Sequence, residues 1–259
     1  MQRTLVGIAA QTYQDWECVI VDDGSSDDSM EIASEYAKKD KRFKVLSNTF
    51  RKGAQGARNT GILAAEGEWI CLFDSDDVMY PNYLERMAAA IDEDTDVLVC
   101  QALIRHSRTE KELGRLNKIH SSDFHRALLR EKCYVAYDVT LIRKEKLVAI
   151  GLLDVQCPSM QEWDTHIRLS KTAHYKAIDE TLCEWYFGGE DAISTSHLRH
   201  VAGRLYIFRK HAWEFRRYAY NHFLRELSDM WQEGQPARKM LLWAPELVIY
   251  IPLRKLLHK

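Results

Sequence analysis

The chain has 259 residues, which at about 150 residues per domain allows one large α/β domain or one domain with an appendage, and excludes a string of independent domains. With 46% hydrophobic and 29% charged residues it can bury a sizeable core, and 12 glycines and 5 prolines are too few for collagen-like, linker-rich or low-complexity architecture. Thirty-six Lys and Arg against 38 Asp and Glu give a net charge of −2, without the cationic excess of a non-specific nucleic-acid binder.

In chain order, Leu5, Ile8 and Ala9 share helical spacing within Met1 to Ala10. Cys18 to Val21 is a strand-like run ending in Asp22-Asp23-Gly24-Ser25-Ser26-Asp27, a loop that leads into a helix from Ser29 to about Lys39. Lys44 to Leu46 predicts a short strand, Ala54 to Ala65 a glycine-containing helix, and Trp69 to Phe73 a buried strand ending at Asp74. Pro81 stands at a helix start, where its missing N–H costs nothing, and the helix continues over Tyr83 to Ile91. Asp96 to Ile104 is one more strand. The alternation of the two periodicities predicts β-α-β units and a largely parallel sheet.

Beyond residue 105 the alternation fades. Arg105 to Ser122 predicts an exposed excursion, Phe124 to Arg130 a helix, and Val135 to Leu147 an extended and then helical stretch. Pro158 opens a helix running to about Lys171, and Tyr175 to Phe187 is extended. Leu198 to Gln232 is helical and rich in aromatics and arginines, with Gly234 and Pro236 as stop signals. Cys18, Cys71, Cys100, Cys133, Cys157 and Cys183 contain no CxxC pair and predict reduced core thiols. No basic-then-apolar leader opens the chain and no run approaches the roughly 18 apolar residues of a membrane span, so a cytoplasmic protein is expected.

Two acidic clusters, Asp22-Asp23 and Asp74-Ser75-Asp76-Asp77, each follow directly on an apolar strand. Ligands of open parallel α/β sheets bind beyond the carboxyl ends of the strands, so both clusters are expected to face one crevice. Carboxylates gathered there repel one another, and a hard divalent cation such as Mg²⁺ or Mn²⁺ relieves that repulsion while bridging to substrate phosphates. The other reading is that these aspartates are helix caps and turn formers.

Gln11-Thr12-Tyr13-Gln14-Asp15-Trp16-Glu17, Val21-Asp22-Asp23-Gly24-Ser25, Gly56-Ala57-Arg58-Asn59-Thr60-Gly61, Glu66-Gly67-Glu68 and Phe73-Asp74-Ser75-Asp76-Asp77 occur in order. They resemble the successive blocks of a family-2 glycosyltransferase with the nucleotide-diphospho-sugar-binding fold, of the type that builds bacterial cell-surface polysaccharide. The resemblance is strong over residues 5 to 100 and weaker over 150 to 200. It implies that Asp22 or Asp23 contacts the nucleotide base, that Arg58 is a charge partner of the donor, and that Asp76 leads the metal ligands. Asp74 would orient the nucleotide or assist the metal, and Asp77 would assist. A general base is implied in the row Gln161-Glu162-Trp163-Asp164, with Glu162 first and Asp164 second. Against these roles stand a Ser159 to Glu162 capping box, an Asp164 to Arg168 helix ion pair and a buried Trp163 to Ile167 stripe. His197, after Asp191-Ala192-Ile193-Ser194, is a further candidate for the donor diphosphate.

The resemblance also implies an opening strand ending in a Pro-Thr-Tyr-Asn-like segment, which has no counterpart here, so Met1 to Ala10 is expected to be the tail of the helix that follows it. Without that central strand nucleotide binding is expected to be weak, since each backbone group left buried and unpaired costs roughly 1–3 kcal/mol. Leu241 to Leu253, broken by Glu246 and two prolines and followed by basic residues, fits either a membrane-surface segment or a helix packed on the domain.

The fold expected is therefore α/β: a mostly parallel, Rossmann-like nucleotide-diphospho-sugar transferase sheet flanked by helices. Residues 1–200 would form the catalytic domain, with a nucleotide half to about 105 and an acceptor half beyond it, and 201–259 a helical extension. The function expected is that of an inverting, Mn²⁺- or Mg²⁺-dependent hexosyl- or N-acetylhexosaminyltransferase. It would move a sugar from a UDP-type donor to a glycan or lipid-linked acceptor, in the cytoplasm or at the inner face of the plasma membrane, with no nucleic-acid partner. The alternatives are a non-catalytic sugar-nucleotide or glycan-binding module and a nucleotidyltransferase that releases pyrophosphate.

Overall fold

A computed structural model describes residues 1–116, 123–130, 135–188 and 197–232. The order is α1 (Gln2–Ala9), β1 (Cys18–Asp22), α2 (Ser29–Lys39), β2 (Phe43–Ser47), α3 (Ala54–Ala64), β3 (Trp69–Ile70), β4 (Val78–Met79), α4 (Tyr83–Ala89), β5 (Val97–His106) and β6 (Glu112–Arg115). It continues through α5 (Phe124–Leu129), a 3-10 turn (Tyr137–Val139), β7 (Thr140–Arg143), α6 (Lys144–Ala149), α7 (Gln161–Leu169), β8 (Tyr175–Phe187), α8 (His197–Lys210), α9 (Ala212–Tyr218) and α10 (Tyr220–Gln232).

The α/β class, the flanking helices and the helical C-terminal region match the expectation. The pairing is mixed where a mostly parallel sheet was expected. β1 and β2 form a parallel pair of their own, and the second sheet runs β3-β7-β5-β8-β4 with β6 also on β5. Within it only β5 and β8 are parallel; the β3·β7, β7·β5, β5·β6 and β8·β4 pairs are antiparallel. The reason is visible at β5, which returns as β6 after residues 107–111, a connection too short for any but an antiparallel pair. The excursion expected over Arg105 to Ser122 is thus, in its described part, an edge hairpin. The strand expected over Trp69 to Phe73 pairs only at Trp69–Ile70, and β4 was not expected at all.

Val97 to Leu103 of β5 are buried on both faces, so this run, apolar except for Gln101 and not alternating, forms the centre of the sheet. Trp163 and Ile167 of α7 form the expected buried stripe; the indole stands edge-on to Phe208 and Phe215, and its Nε1–H donates to the Leu128 carbonyl at 2.8 Å. α8 crosses the start of α7 so closely that a Cβ on Gly203 would lie 2.2 Å from the Ser159 Oγ. The five described cysteines are free thiols, three of them buried, and Cys133 lies outside the described residues. So do Gly234, Pro236, the Leu241 to Leu253 segment and the Asp191 to Ser194 loop. Among the described residues no helix is long and apolar enough to cross a membrane.

Candidate active site

Three short strands bring three carboxylates together. β3 ends at Ile70, and continuing its antiparallel register with β7 past Ile70↔Ile142 sets Asp74 opposite Asp138 of the 3-10 turn. The Asp138 carboxylate accepts the Asp74 backbone N–H at 2.6 Å. β4 pairs with β8, and this places Asp77 where its Oδ1 accepts the Tyr186 N–H at 2.7 Å. Each of Asp74, Asp77 and Asp138 offers an oxygen within 4.8 Å of the others'. Asp77 and Asp138 are buried, and Asp77 Oδ2 has no hydrogen-bond partner among the described residues.

Carboxyls this close and this buried keep protons and bond to each other rather than ionise together, and a hard cation with oxygen ligands is the group that would replace those protons on this donor set. Asp76, the residue expected to lead the ligands, is outside the converging trio. Its backbone carbonyl is held by Arg3 at 2.6 and 3.0 Å, the residue is exposed, and partial desolvation together with the Asp74 charge raises its pKa. Asp138 was not singled out in the sequence; its signal exists only once β3 and β7 are known to be antiparallel.

Beside the trio stands Arg58 of α3, ion-paired to Asp74 through Nη2 and donating from Nη1 to Gln55 Oε1 at 3.1 Å. Its guanidinium lies 4.8 Å from the Tyr137 ring centroid. Burial opposes its charge, but Asp74 and Glu162 more than offset this, so its pKa stays above the ordinary arginine value. Tyr137 ties the two helices of the site together, since its hydroxyl takes the Gln55 Nε2–H at 3.0 Å and meets the Thr165 hydroxyl at 2.9 Å. That link sets Glu162, one turn earlier on α7, opposite Arg58.

Glu162 does not form the capping box. α7 starts from Met160 in a left-handed conformation without a side-chain cap, and the Ser159 hydroxyl donates instead to the Arg199 carbonyl at 2.7 Å. Burial raises the Glu162 pKa, Arg58 lowers it, and Asp74 raises it again. Asp164 is placed elsewhere: fully buried, it accepts from Arg168 at 2.9 Å, Lys210 at 2.8 Å and His211 at 2.8 Å. The His211 hydrogen bond and the Arg168 and Lys210 charges overcome the burial penalty and hold its carboxyl below the ordinary range. Asp164 is thus the ion-pair residue of the alternative reading, fastening α7 to α8 and α9.

The β1 aspartates shape the loops around this site. Asp22 accepts the Gly24 and Ser25 N–H groups at 3.1 and 2.9 Å, the turn-forming role. Asp23 accepts from Asn48 Nδ2 at 2.6 Å and from the Gly53 N–H at 2.8 Å, which fixes the entry to α3. Gly56 completes that entry, because a Cβ there would lie 2.0 Å from the Arg51 carbonyl oxygen. Two surface grooves, of about 440 Å³ beside α2 and about 620 Å³ between α1 and β4, are lined by none of these side chains.

The family model of Glycosyl transferase family 2 matches residues 1–150. The chain belongs to this family. Over 85 residues this family 2 domain is 42% identical to the Escherichia coli UDP-Glc:alpha-D-GlcNAc-diphosphoundecaprenol beta-1,3-glucosyltransferase WfgD, covering 33% of this chain and 33% of that protein. The chain spans about a third of the length of the curated relatives it matches. Its fold is that of S. aureus TarS 1-349, solved in complex with UDP, with a TM-score of 0.60 at 18% identity over 88% of this chain and 65% of that one. It is also that of the mannosyltransferase PcManGT from Pyrobaculum calidifontis, solved with GDP-Man and Mn2+, with a TM-score of 0.57 at 19% identity over 98% and 78% of the two chains.

The buried acids of this family 2 domain have a measurable signature. Burial first, then Asp76 and Asp74, push the Asp77 carboxyl up to about 8 against the opposing Tyr186 N–H, and burial holds Asp138 well above its usual range. A carboxyl whose folded pKa is raised keeps its proton in the native state after the unfolded chain has released it near pH 4, so stability falls as pH rises from there to about 8. Buried His166, pushed down to about 3, acts oppositely, but only below its unfolded value near 6.5. Between pH 6.5 and 8 the acids are therefore unopposed by it. The metal-free protein is expected to lose Tm across that window, by up to about 1.4 kcal/mol per pH unit for each proton, and Asp77→Asn or added Mn²⁺ to flatten the slope. A Tm unchanged between those pH values in chelator would refute it.

Proposed function

We propose that the chain is the nucleotide-sugar-binding part of an inverting glycosyltransferase that transfers a hexosyl or N-acetylhexosaminyl group from a UDP-sugar to a hydroxyl. The acceptor is a cell-surface glycan, free or lipid-linked, met at the inner face of the plasma membrane. The observation that carries the reading is the Arg58–Asp74 ion pair beside the Asp77–Asp138 carboxyls, with Glu162 within electrostatic reach of both its members. UDP and GDP-Man in the neighbouring structures and a lipid-linked glycan in the WfgD name support the substrate classes.

In this reading Glu162 accepts the acceptor's proton as its oxygen attacks the anomeric carbon; the new C–O bond forms as the bond to the diphosphate breaks, and the configuration inverts. A base is helped by a raised pKa, and burial raises that of Glu162 against the opposing Arg58 charge and a backbone hydrogen bond of its own residue. Arg58 offsets charge on the nucleoside diphosphate, and Asp22 and Asp23 shape the base pocket. Asp74, Asp77 and Asp138 would hold the Mn²⁺ or Mg²⁺, with Asp76 the exposed member of the triplet available at the cleft. The bound ion would stabilise negative charge on the leaving diphosphate.

The deciding measurement is UDP release from a panel of UDP-sugars with Mn²⁺, Mg²⁺ or chelator. Release that requires the divalent ion and disappears in Asp74→Ala is expected. Metal-independent nucleotide binding without release would instead favour a sugar-nucleotide-binding module, and pyrophosphate release from a nucleoside triphosphate a nucleotidyltransferase.

A further inference from the structure

The helical stretch from residue 197 to 232 holds seven Lys and Arg against three Asp and Glu, in a chain whose net charge is −2. Within it α9 turns Phe215 fully inward and leaves Trp213 60% exposed. Arginines from two helices gather at Tyr218. The Arg217 and Arg126 guanidinium carbons lie 5.2 and 5.6 Å from its ring centroid, and Arg130 Nη2 donates to its carbonyl at 3.3 Å. Arg217 also lies 5.0 Å from the Trp213 ring, and Tyr220 is exposed at 43%. Arg126 has an acidic neighbour, Asp123 at 3.3 Å, whereas Arg130 and Arg217 make no ion pair among the described residues.

An exposed indole beside the half-buried Tyr218 phenol, both flanked by guanidinium groups, suits one kind of surface. Amphipathic rings settle at the headgroup level of a bilayer, and guanidinium forks bind lipid phosphates with two hydrogen bonds at a time. The cation–π contacts keep the arginines extended over the rings while leaving N–H groups for such phosphates. We propose that the α5–α9 face centred on Tyr218 docks the domain on an anionic lipid bilayer. The inference deepens the proposed function by placing the domain beside a lipid-borne acceptor, and it rests on that reading only for its purpose.

The test is sedimentation of the full chain with vesicles of phosphatidylglycerol and phosphatidylcholine against phosphatidylcholine alone. The chain is expected to prefer the anionic vesicles and to lose the preference as salt rises. At about five-fold per cation, R130E/R217E should weaken partitioning by at least about 25-fold. W213A should weaken it several-fold, while Lys39→Glu on α2 should match the wild type. Circular dichroism confirms that the helices persist in each variant. Asp74→Asn should bind vesicles normally even though transfer fails, and R130E/R217E should still bind UDP, so loss of docking and loss of the transferase reading are separable. No preference for anionic vesicles, or R130E/R217E partitioning like the wild type, overturns the proposal. Binding of R130E/R217E-sensitive heparin without vesicle binding would assign the face to a soluble polyanion and overturn it as well.

Discussion

Glu162→Gln is expected to lower kcat by 10²–10⁴ while changing UDP affinity by no more than about three-fold, the range associated with loss of a general base. The substitution keeps the size and the polar end of the side chain and removes only its capacity to take a proton. Arg58 remains neutralised by Asp74, so the donor side of the cleft is preserved. The stability effect has a definite sign. A carboxyl whose folded pKa is raised destabilises the native state at pH values above its unfolded pKa, so glutamine should leave Tm equal or slightly higher at pH 7. A merely structural Glu162 would show the opposite pairing, with Tm lowered and kcat nearly intact. The rising limb of the wild-type pH–rate profile should sit above the ordinary glutamate value and vanish in the variant. Turnover within ten-fold of wild type would remove Glu162 as base, and Asp164 could not replace it, because its oxygens are already taken by Arg168, Lys210 and His211.

The residues legible in the sequence were those whose role follows from local chain geometry. β1, α2 and β2 follow from a β-branched run, a loop and an amphipathic stretch, and each formed where the pattern put it. Arg58 lies inside α3, Asp74 in the loop after β3 and Glu162 in the first turn of α7, and the fold sets Arg58 within electrostatic reach of both acids. What the sequence hid depends on pairing direction. The second half of the sheet is antiparallel, and no periodicity distinguishes a central strand in a parallel pair from one in an antiparallel pair when both faces are buried, as in Val97 to Leu103. With β7 thought to lie in an undefined extended stretch, Asp138 had no reason to be linked to Asp74. The Glu162 and Ser159 spacing illustrates the opposite error, since it satisfies the capping-box rule while α8 takes the Ser159 hydroxyl away through the Arg199 carbonyl.

Asp138 offers the second large effect, because its carboxylate does two things that substitutions can separate. It accepts the Asp74 N–H at 2.6 Å, and it offers an oxygen within 4.8 Å of the Asp74 and Asp77 oxygens that would carry charge once a bound cation displaces its proton. Asp138→Asn keeps an oxygen that can accept that N–H but removes the charge. It is expected to raise the Mn²⁺ concentration for half-maximal transfer by 10–100-fold, in line with loss of support around a metal, while kcat at saturating Mn²⁺ stays within a few-fold. Asp138→Ala also removes the acceptor. The buried Asp74 N–H is then left without its partner at a cost of about 1–3 kcal/mol, the loop carrying Asp74 shifts, and Arg58 loses its fixed counter-charge. In this variant kcat should fall as well as Mn²⁺ affinity, and excess metal should not restore it. Mn²⁺ titrations of UDP release for the two variants check both expectations. A half-saturation unchanged in Asp138→Ala would take Asp138 out of the metal-binding trio, and equal kcat losses in both variants would show that the hydrogen bond to Asp74 has no separate part.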